Sequence, residues 1–329
     1  MNSIFALLPV VIFLLFLFLL DSFKLVVKKQ LLLCIVWGIL SATLAYFINT
    51  LALNHFQIGF DNLSKYISPF IEELLKIVVV LILIKSKRIG FMIDAAIYGF
   101  AAGAGFALAE NIFYLYTNND PNLLIWIIRG LGTSIMHGGC TALFALVVVG
   151  AKNRDASPIL NFMAAIGLAY LIHSMFNHFY VSPIIQTAGI VVVLPLVFIL
   201  IFNFNEKQLQ DWLEIEFANE VELLNMINKG QFRNTKAGEY LTSLKSKFEG
   251  EVILDMYCFI SLYLELSIKA KRNIMLKESG FAPMIEPDIN NKLSEIKQLR
   301  KQIGKVGELT LAPLIRMNYR DLWKLKTLE

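Results

Sequence analysis

The sequence has little cysteine. Cys34, Cys140 and Cys258 are odd in number, far apart and set in apolar surroundings, which excludes a disulfide framework and a CxxC metal site. It also has little charge. Only 17% of its 329 residues are charged, and the net charge of +4 is spread along the chain, so no nucleic-acid partner is indicated. No internal repeat is visible. The opening stretch MNSIFALLPVVIFLLFLFLLD has no basic residues ahead of its apolar run and no small-x-small cleavage site, and Lys24, Lys28 and Lys29 follow at once. We therefore expect a retained first span, not a signal peptide. What the chain has in abundance is apolar surface. It is 57% hydrophobic, its mean hydropathy is positive, and it holds several apolar runs of about 18 residues or more, unlike a soluble protein.

Seven apolar stretches reach the roughly 20 helical residues that cross a bilayer: 4–20, 31–53, 67–84, 91–116, 122–150, 157–180 and 183–202. Basic residues mark alternate loops. Loop 21–30 holds three lysines, 85–90 holds Lys85, Lys87 and Arg88, and 151–156 holds Lys152 and Arg154; loop 54–66 holds one lysine, and 117–121 and 181–182 hold none. The positive-inside bias then puts the N-terminus outside and the C-terminus in the cytoplasm of a multi-pass cell-membrane protein.

From about residue 203 the composition becomes that of a soluble helical region. The pattern 237–273 has a centre, 256–264, that is apolar on nearly all sides, but Asp255 and Glu265 leave too few residues between them to cross a bilayer. A buried core helix is expected there. The fold class is thus all-α: a polytopic membrane helix bundle of about seven spans over residues 1–202, followed by a cytoplasmic helical domain over 203–329.

Four spans carry groups that apolar packing does not need. The third holds Glu72, Glu73 and Lys76, the fourth Glu110 and Asn111, the fifth Arg129 and His137, and the sixth His173, Asn177 and His178. Ionisable residues inside spans usually face the bundle interior and mark function. With the topology above, the glutamates, Glu110 and the His173–Asn177 pair all fall in the outer half of their spans, with His137 near the middle. One shared polar cavity is expected. Lys76 shares a helix face with Glu72 and Glu73, so it can offset one carboxylate and leave the other desolvated beside a like charge, a setting suited to a base that activates water. His173 and Asn177, four residues apart, can orient water and hold an oxyanion. Arg129 and His178 lie near the interface and are read as anchors. The glycines of GFAAGAG allow a neighbouring helix to approach closely.

The set EELLK, GAGFALAEN, HGGCTALF and HSMFN, in this order and each on its own span, resembles the PrsW family of intramembrane proteases. It is more distantly similar to the type II CAAX prenyl endopeptidases. The resemblance covers roughly residues 65–180 and implies endoproteolysis of single-pass membrane proteins, anti-sigma factors among them, near their extracytoplasmic side. It carries over to Glu72 and Glu73 as the paired glutamates, to Glu110 of the EN motif, to His137, and to His173 with Asn177.

Two chemistries remain open on these residues. One is metal-free, with Glu73 or Glu72 as base, His137 assisting water, and His173 and Asn177 holding the oxyanion. The other is a zinc site of Glu73, His137 and His173. The first is preferred, because no HExxH is present and His173 and His178, five residues apart, point about 140° away from each other. The competing function is a proton-coupled transporter using the same buried cluster, but neither inverted repeats nor paired broken helices are visible.

Overall fold

The computed structural model describes residues 2–21, 23–118, 120–152, 157–284, 286–312, 314–315, 325 and 328. Every long element is a helix: α1 (Asn2–Leu19), α2 (Lys28–Phe56), the short α3 (Phe60–Asn62), α4 (Ser68–Lys85), α5 (Met92–Thr117), the short α6 (Leu123–Ile127), α7 (Ser134–Lys152), α8 (Pro158–His178), α9 (Pro183–Asn228), α10 (Lys236–Ser243), α11 (Gly250–Glu278) and α12 (Ile289–Leu311). Two wide π turns, Leu63–Ile67 and Ile128–Thr133, lead into α4 and α7. The chain divides into two compact units, 1–205 and 206–329.

Among the described residues, six helices are long and apolar enough to cross a membrane: Asn2–Leu19, Lys28–Phe56, Met92–Thr117, Leu123–Ala151, Pro158–His178 and Pro183–Phe204. The seventh expected span is present as α4 but does not meet that standard. Its 18 residues include Glu72, Glu73, Lys76 and Lys85. The first unit is an all-α polytopic helix bundle. In the loop 151–156, on which the expected orientation partly rests, residues 153–156 with Arg154 lie outside the described residues.

α5 forms the centre of this bundle, and its composition explains why. Small residues from Gly99 to Gly105 let α2 and α7 approach at backbone distance. A Cβ on Gly103 would run into the His137 carbonyl, and one on Gly105 into the Ile35 carbonyl. Close approach of this kind is how helices associate where lipid removes the usual hydrophobic drive. Asp94, in the first turn of α5, accepts from the backbone N–H groups of Gly90 and Phe91, each at 2.8 Å, and so fixes where the helix starts. Trp37 Nε1 donates to the Leu75 carbonyl at 2.9 Å, tying α2 to α4. α1, α2 and the apolar half of α9 leave large hydrophobic side chains exposed, among them Leu15, Leu32 and Val192, as lipid-facing helices do.

The second unit packs α10, α11 and α12 around an apolar core that includes Met256, Phe259, Ile260, Tyr263, Leu293 and Ile303. The apolar centre 256–264 is thus a core helix, as its spacing predicts. Within this unit the ammonium of Lys271 is fully buried and lies 3.2 Å from both Glu216 and Glu220. Two boundaries differ from the sequence expectation. α9 continues unbroken past residue 203, where composition turns polar, because helix formation needs no change of backbone there. The pattern 237–273 splits into α10 and α11 around the polar run 245–247, which offers no apolar face to bury.

Candidate active site

α4 buries Glu73, Lys76, Ile77, Val80 and Leu83, the three-and-four spacing of an inward helix face. That register takes Glu73 and Lys76 into the core together, and both side chains have no exposure. Lys76 Nζ donates to Glu73 Oε1 at 2.6 Å. It also stands 3.1 Å from His137 Nδ1 and 4.9 Å from the centroid of the Phe106 ring. Charges at this depth are tolerated because each has a partner. Glu72, one residue earlier and about 100° around the helix, faces a cavity instead.

α8 supplies His173, whose Nδ1 lies 2.8 Å from Glu73 Oε1 and whose Nε2 lies 3.7 Å from Glu72 Oε2. A carboxylate paired with a lysine only accepts, so Nδ1 is the donor, and Nε2 is the nitrogen that faces Glu72. α7 supplies His137, edge-on to His173 with ring centroids 4.7 Å apart. The Lys76 ammonium can only donate, so His137 Nδ1 accepts from it, and Nε2 donates to Glu110 Oε2 at 3.1 Å. Glu110 in turn stands 3.4 Å from Arg129 Nη2.

Arg129 is not the interface anchor that its position in the sequence suggests. It lies over the Tyr114 ring at 3.7 Å, and its Nε donates to Asn111 Oδ1 at 3.0 Å. Asn111 Nδ2 donates to the Ala6 carbonyl at 2.7 Å and to Ser134 Oγ at 2.8 Å. The EN motif therefore divides its work: Glu110 reaches the histidine, while Asn111 fastens α1, α5 and the turn before α7. His178 Nδ1 donates to its own helix at the Ser174 carbonyl (2.6 Å), with its ring against Tyr66 and Tyr180.

The first π turn has a part here too. A π turn bonds i to i+5 and displaces its carbonyls from the α-helical pattern. The carbonyl of Ser64 accepts from Asn177 Nδ2 at 3.0 Å, and that of Lys65 from Ser174 Oγ at 2.7 Å. These bonds lock α8 to the entry of α4 and set His173 opposite the glutamates.

Glu72, Glu110, His137, His173 and Asn177 line one cavity of about 620 Å³, together with Arg129, Asn49 and a set of aromatic side chains. Glu73 does not line it; it stands behind His173. The sequence reading does not single out Asn49, although an amide in the otherwise apolar span 31–53 was the signal available. Its Nδ2 donates to Glu72 Oε1 at 3.4 Å.

One ligand atom each from Glu72, His137 and His173 lie within 4.8 Å of one another. Two imidazoles and a carboxylate are a donor set that catalytic zinc sites use, so these residues fit a metal. The carboxylate in the set is Glu72, where the sequence reading placed Glu73, because Glu73 is taken up by Lys76 and His173. Both nitrogens of His137 are engaged by protein groups, so holding an ion replaces one of those contacts.

A family model described as PrsW family intramembrane metalloprotease matches residues 27–202, more than half of the chain. No curated protein matches significantly, and neither does any solved structure.

Proposed function

Because the chain belongs to the PrsW family of intramembrane metalloproteases and is therefore a membrane-embedded peptide hydrolase, we propose that it cuts a single-pass membrane protein near its extracytoplasmic side, at the cavity of Glu72, His137 and His173. An anti-sigma-factor-like protein is the proposed substrate class. Residues 1–202 carry the chemistry and span the cell membrane with the N-terminus outside, and residues 203–329 form a cytoplasmic domain. The observation that carries this reading is the convergence of one carboxylate and two imidazoles within 4.8 Å on a cavity that also holds Glu110 and Asn177.

Glu72, His137 and His173 would hold the metal, and this arrangement leads us to take the metal site over the metal-free route. A bound zinc-type ion supplies Lewis-acid polarisation and a water activated at neutral pH. Glu73 holds the His173 ring by its Nδ1 hydrogen, which leaves Nε2 unprotonated on the cavity side, the role of a carboxylate behind a ligating histidine. Lys76 keeps Glu73 in place. Glu110, whose side chain is 27% exposed, takes a proton from the attacking water as oxygen adds to the scissile carbonyl carbon. It then passes that proton to the amide nitrogen as the C–N bond breaks. Asn177 spends one N–H on Ser64 and has a second for the developing oxyanion.

The test is co-expression with single-pass reporters. Wild type should release the reporter ectodomain, and Glu72→Gln, His137→Ala and His173→Ala should not. Release that persists in all three variants would remove this cavity from the reaction.

A further inference from the structure

α2 and α5 run side by side, and they close on each other at backbone distance along only part of their length. A Cβ on Gly38 would run into the Ala102 carbonyl, and one on Gly105 into the Ile35 carbonyl. About two turns further along, toward Phe56 and Thr117, the helices meet instead through Tyr46 and Phe113, whose ring centroids lie 5.1 Å apart. Both residues line the cavity of Glu72, His137 and His173, and both are also exposed, at 51% and 43%. They stand level with the candidate catalytic groups. Asn49, which holds Glu72, is about one turn from Tyr46, and Glu110 is about one turn from Phe113.

The other helical walls of the cavity are closed. The residues that α4, α7 and α8 bring to it, Glu72, His137, His173 and Phe176 among them, are buried or half-buried. Exposed lining residues within helices of spanning length come only from α2, as Thr43, Tyr46 and Phe47, and from α5, as Phe113. Thr43 spends its hydroxyl on the Ile39 carbonyl of its own helix, so it turns no unmatched donor outward. Exposure on the flank of a spanning helix is exposure to lipid, and this side of the cavity therefore faces the bilayer. An acyl chain arriving there brings nothing for Glu72 and the two histidines to act on. A transmembrane helix brings a peptide bond.

We infer that the substrate's transmembrane helix docks from the bilayer against the seam of α2 and α5, and that Tyr46 and Phe113 part to admit its unwound segment. The inference rests on the protease reading of this cavity and adds the side from which the substrate arrives. Ala42, Ala45 and Ala109, which line the cavity on the same two helices, are small enough for a third backbone to come close. One ring pair is weakly held, and parting it moves side chains while the backbone contacts at Gly38 and Gly105 keep the helices together.

The experiment uses the purified full chain in vesicles and a single-pass reporter that wild type cuts and Glu72→Gln does not. In the Glu72→Gln chain, a benzophenone amino acid at position 46, 47 or 113 should crosslink to the reporter. The same group at Leu171 of α8 or Val192 of α9, both exposed, should not. Tyr46→Ala and Phe113→Ala should each raise kcat/KM by about two- to tenfold, the worth of one aromatic pair, with Val192→Ala unchanged. Rings that only support the fold give the opposite sign, a lower melting temperature with slower cleavage. Tyr46→Leu and Phe113→Leu carry the same expectation if the alanine variants do not fold. Crosslinks that favour 171 or 192, crosslinks to lipid only, or an unchanged or lower kcat/KM in the folded variants overturn this entry route and leave the protease reading intact. Equal cleavage by wild type and Glu72→Gln is seen before any of these variants is measured, and it overturns both.

Discussion

Glu73 Oε1 accepts a 2.8 Å hydrogen bond from His173 Nδ1 across the packed helices α4 and α8. The same oxygen takes the ammonium of Lys76 at 2.6 Å. One carboxylate oxygen therefore neutralises a buried cation and sets the tautomer of a candidate metal ligand, and the two duties separate under mutation. Glu73→Gln strands the Lys76 charge, and we expect a loss of about 3–5 kcal/mol of stability, the usual result of breaking a buried pair. Adding Lys76→Met should restore the melting temperature in detergent without restoring cleavage. A stable, fully active Glu73→Gln would show that neither duty matters.

Glu72 has no such structural burden. Glu72→Gln should keep wild-type abundance, lose metal from about one ion per chain to near zero, and lose cleavage. Strong chelators should inactivate wild type, with recovery on adding zinc. Glu110→Gln, which touches a histidine of the set, should weaken metal binding by about 10–100-fold, measured by competition with a chromogenic chelator. Metal content unchanged in Glu72→Gln would return the metal-free mechanism to first place.

Gly103 tests how tightly the site depends on its scaffold. Its missing Cβ makes room for the backbone of His137 and Gly138, so Gly103→Ala must push α7 away from α5 and move His137 with it. We expect activity to fall by at least about tenfold, since small displacements of reacting groups are costly. Gly167, with open space around its Cβ position, serves as the control: Gly167→Ala should be close to wild type. Equal activity in the two variants would mean that helix spacing does not set the site.

The orientation proposal fixes where the substrate is cut. Reporter fusions after residues 60, 119 and 182 should read outside, and those after 26, 88, 154 and 329 inside. Cleavage should then map to the outer juxtamembrane region or the first outer turns of the substrate span. Leucines placed there should slow it, and a glycine should speed it, because local unwinding comes first. Mass spectrometry of the released fragment locates the cut; termini in the cytoplasmic half of the span would reverse the orientation.

Much of this was legible in the chain. Apolar runs mark six of the helices long enough to cross a membrane, and the ionisable residues of these and of α4 point to the cavity, because a charge at membrane depth needs a partner or a function. The choice between Glu72 and Glu73 was not legible. Adjacent residues lie about 100° apart on a helix, and only the placement of Lys76, His173 and the cavity decides which one turns inward. Arg129 read as an anchor because the π turn at Ile128–Thr133, which precedes His137 on α7, leaves no mark in hydropathy. Asn49 was hidden for a different reason. A lone amide in an apolar span carries no charge to draw attention, and its significance lies in a partner 23 residues away.

The charges of α4 also bear on how the protein is made. A charged residue in an inserting helix costs up to about 2.5–3.5 kcal/mol at the centre and less toward an end, and α4 brings Glu72, Glu73 and Lys76 with only one internal pairing to offset them. Such a segment does not partition into lipid by its own hydropathy. It needs α2, α5 and α8 beside it, and α5 and α8 are synthesised later. The nascent chain therefore lacks the assembled cavity until its sixth apolar stretch has emerged, and biogenesis itself delays the onset of proteolysis. Glycosylation mapping of chains truncated after residue 90 should find α4 outside the bilayer, and chains extended past residue 180 should carry it across.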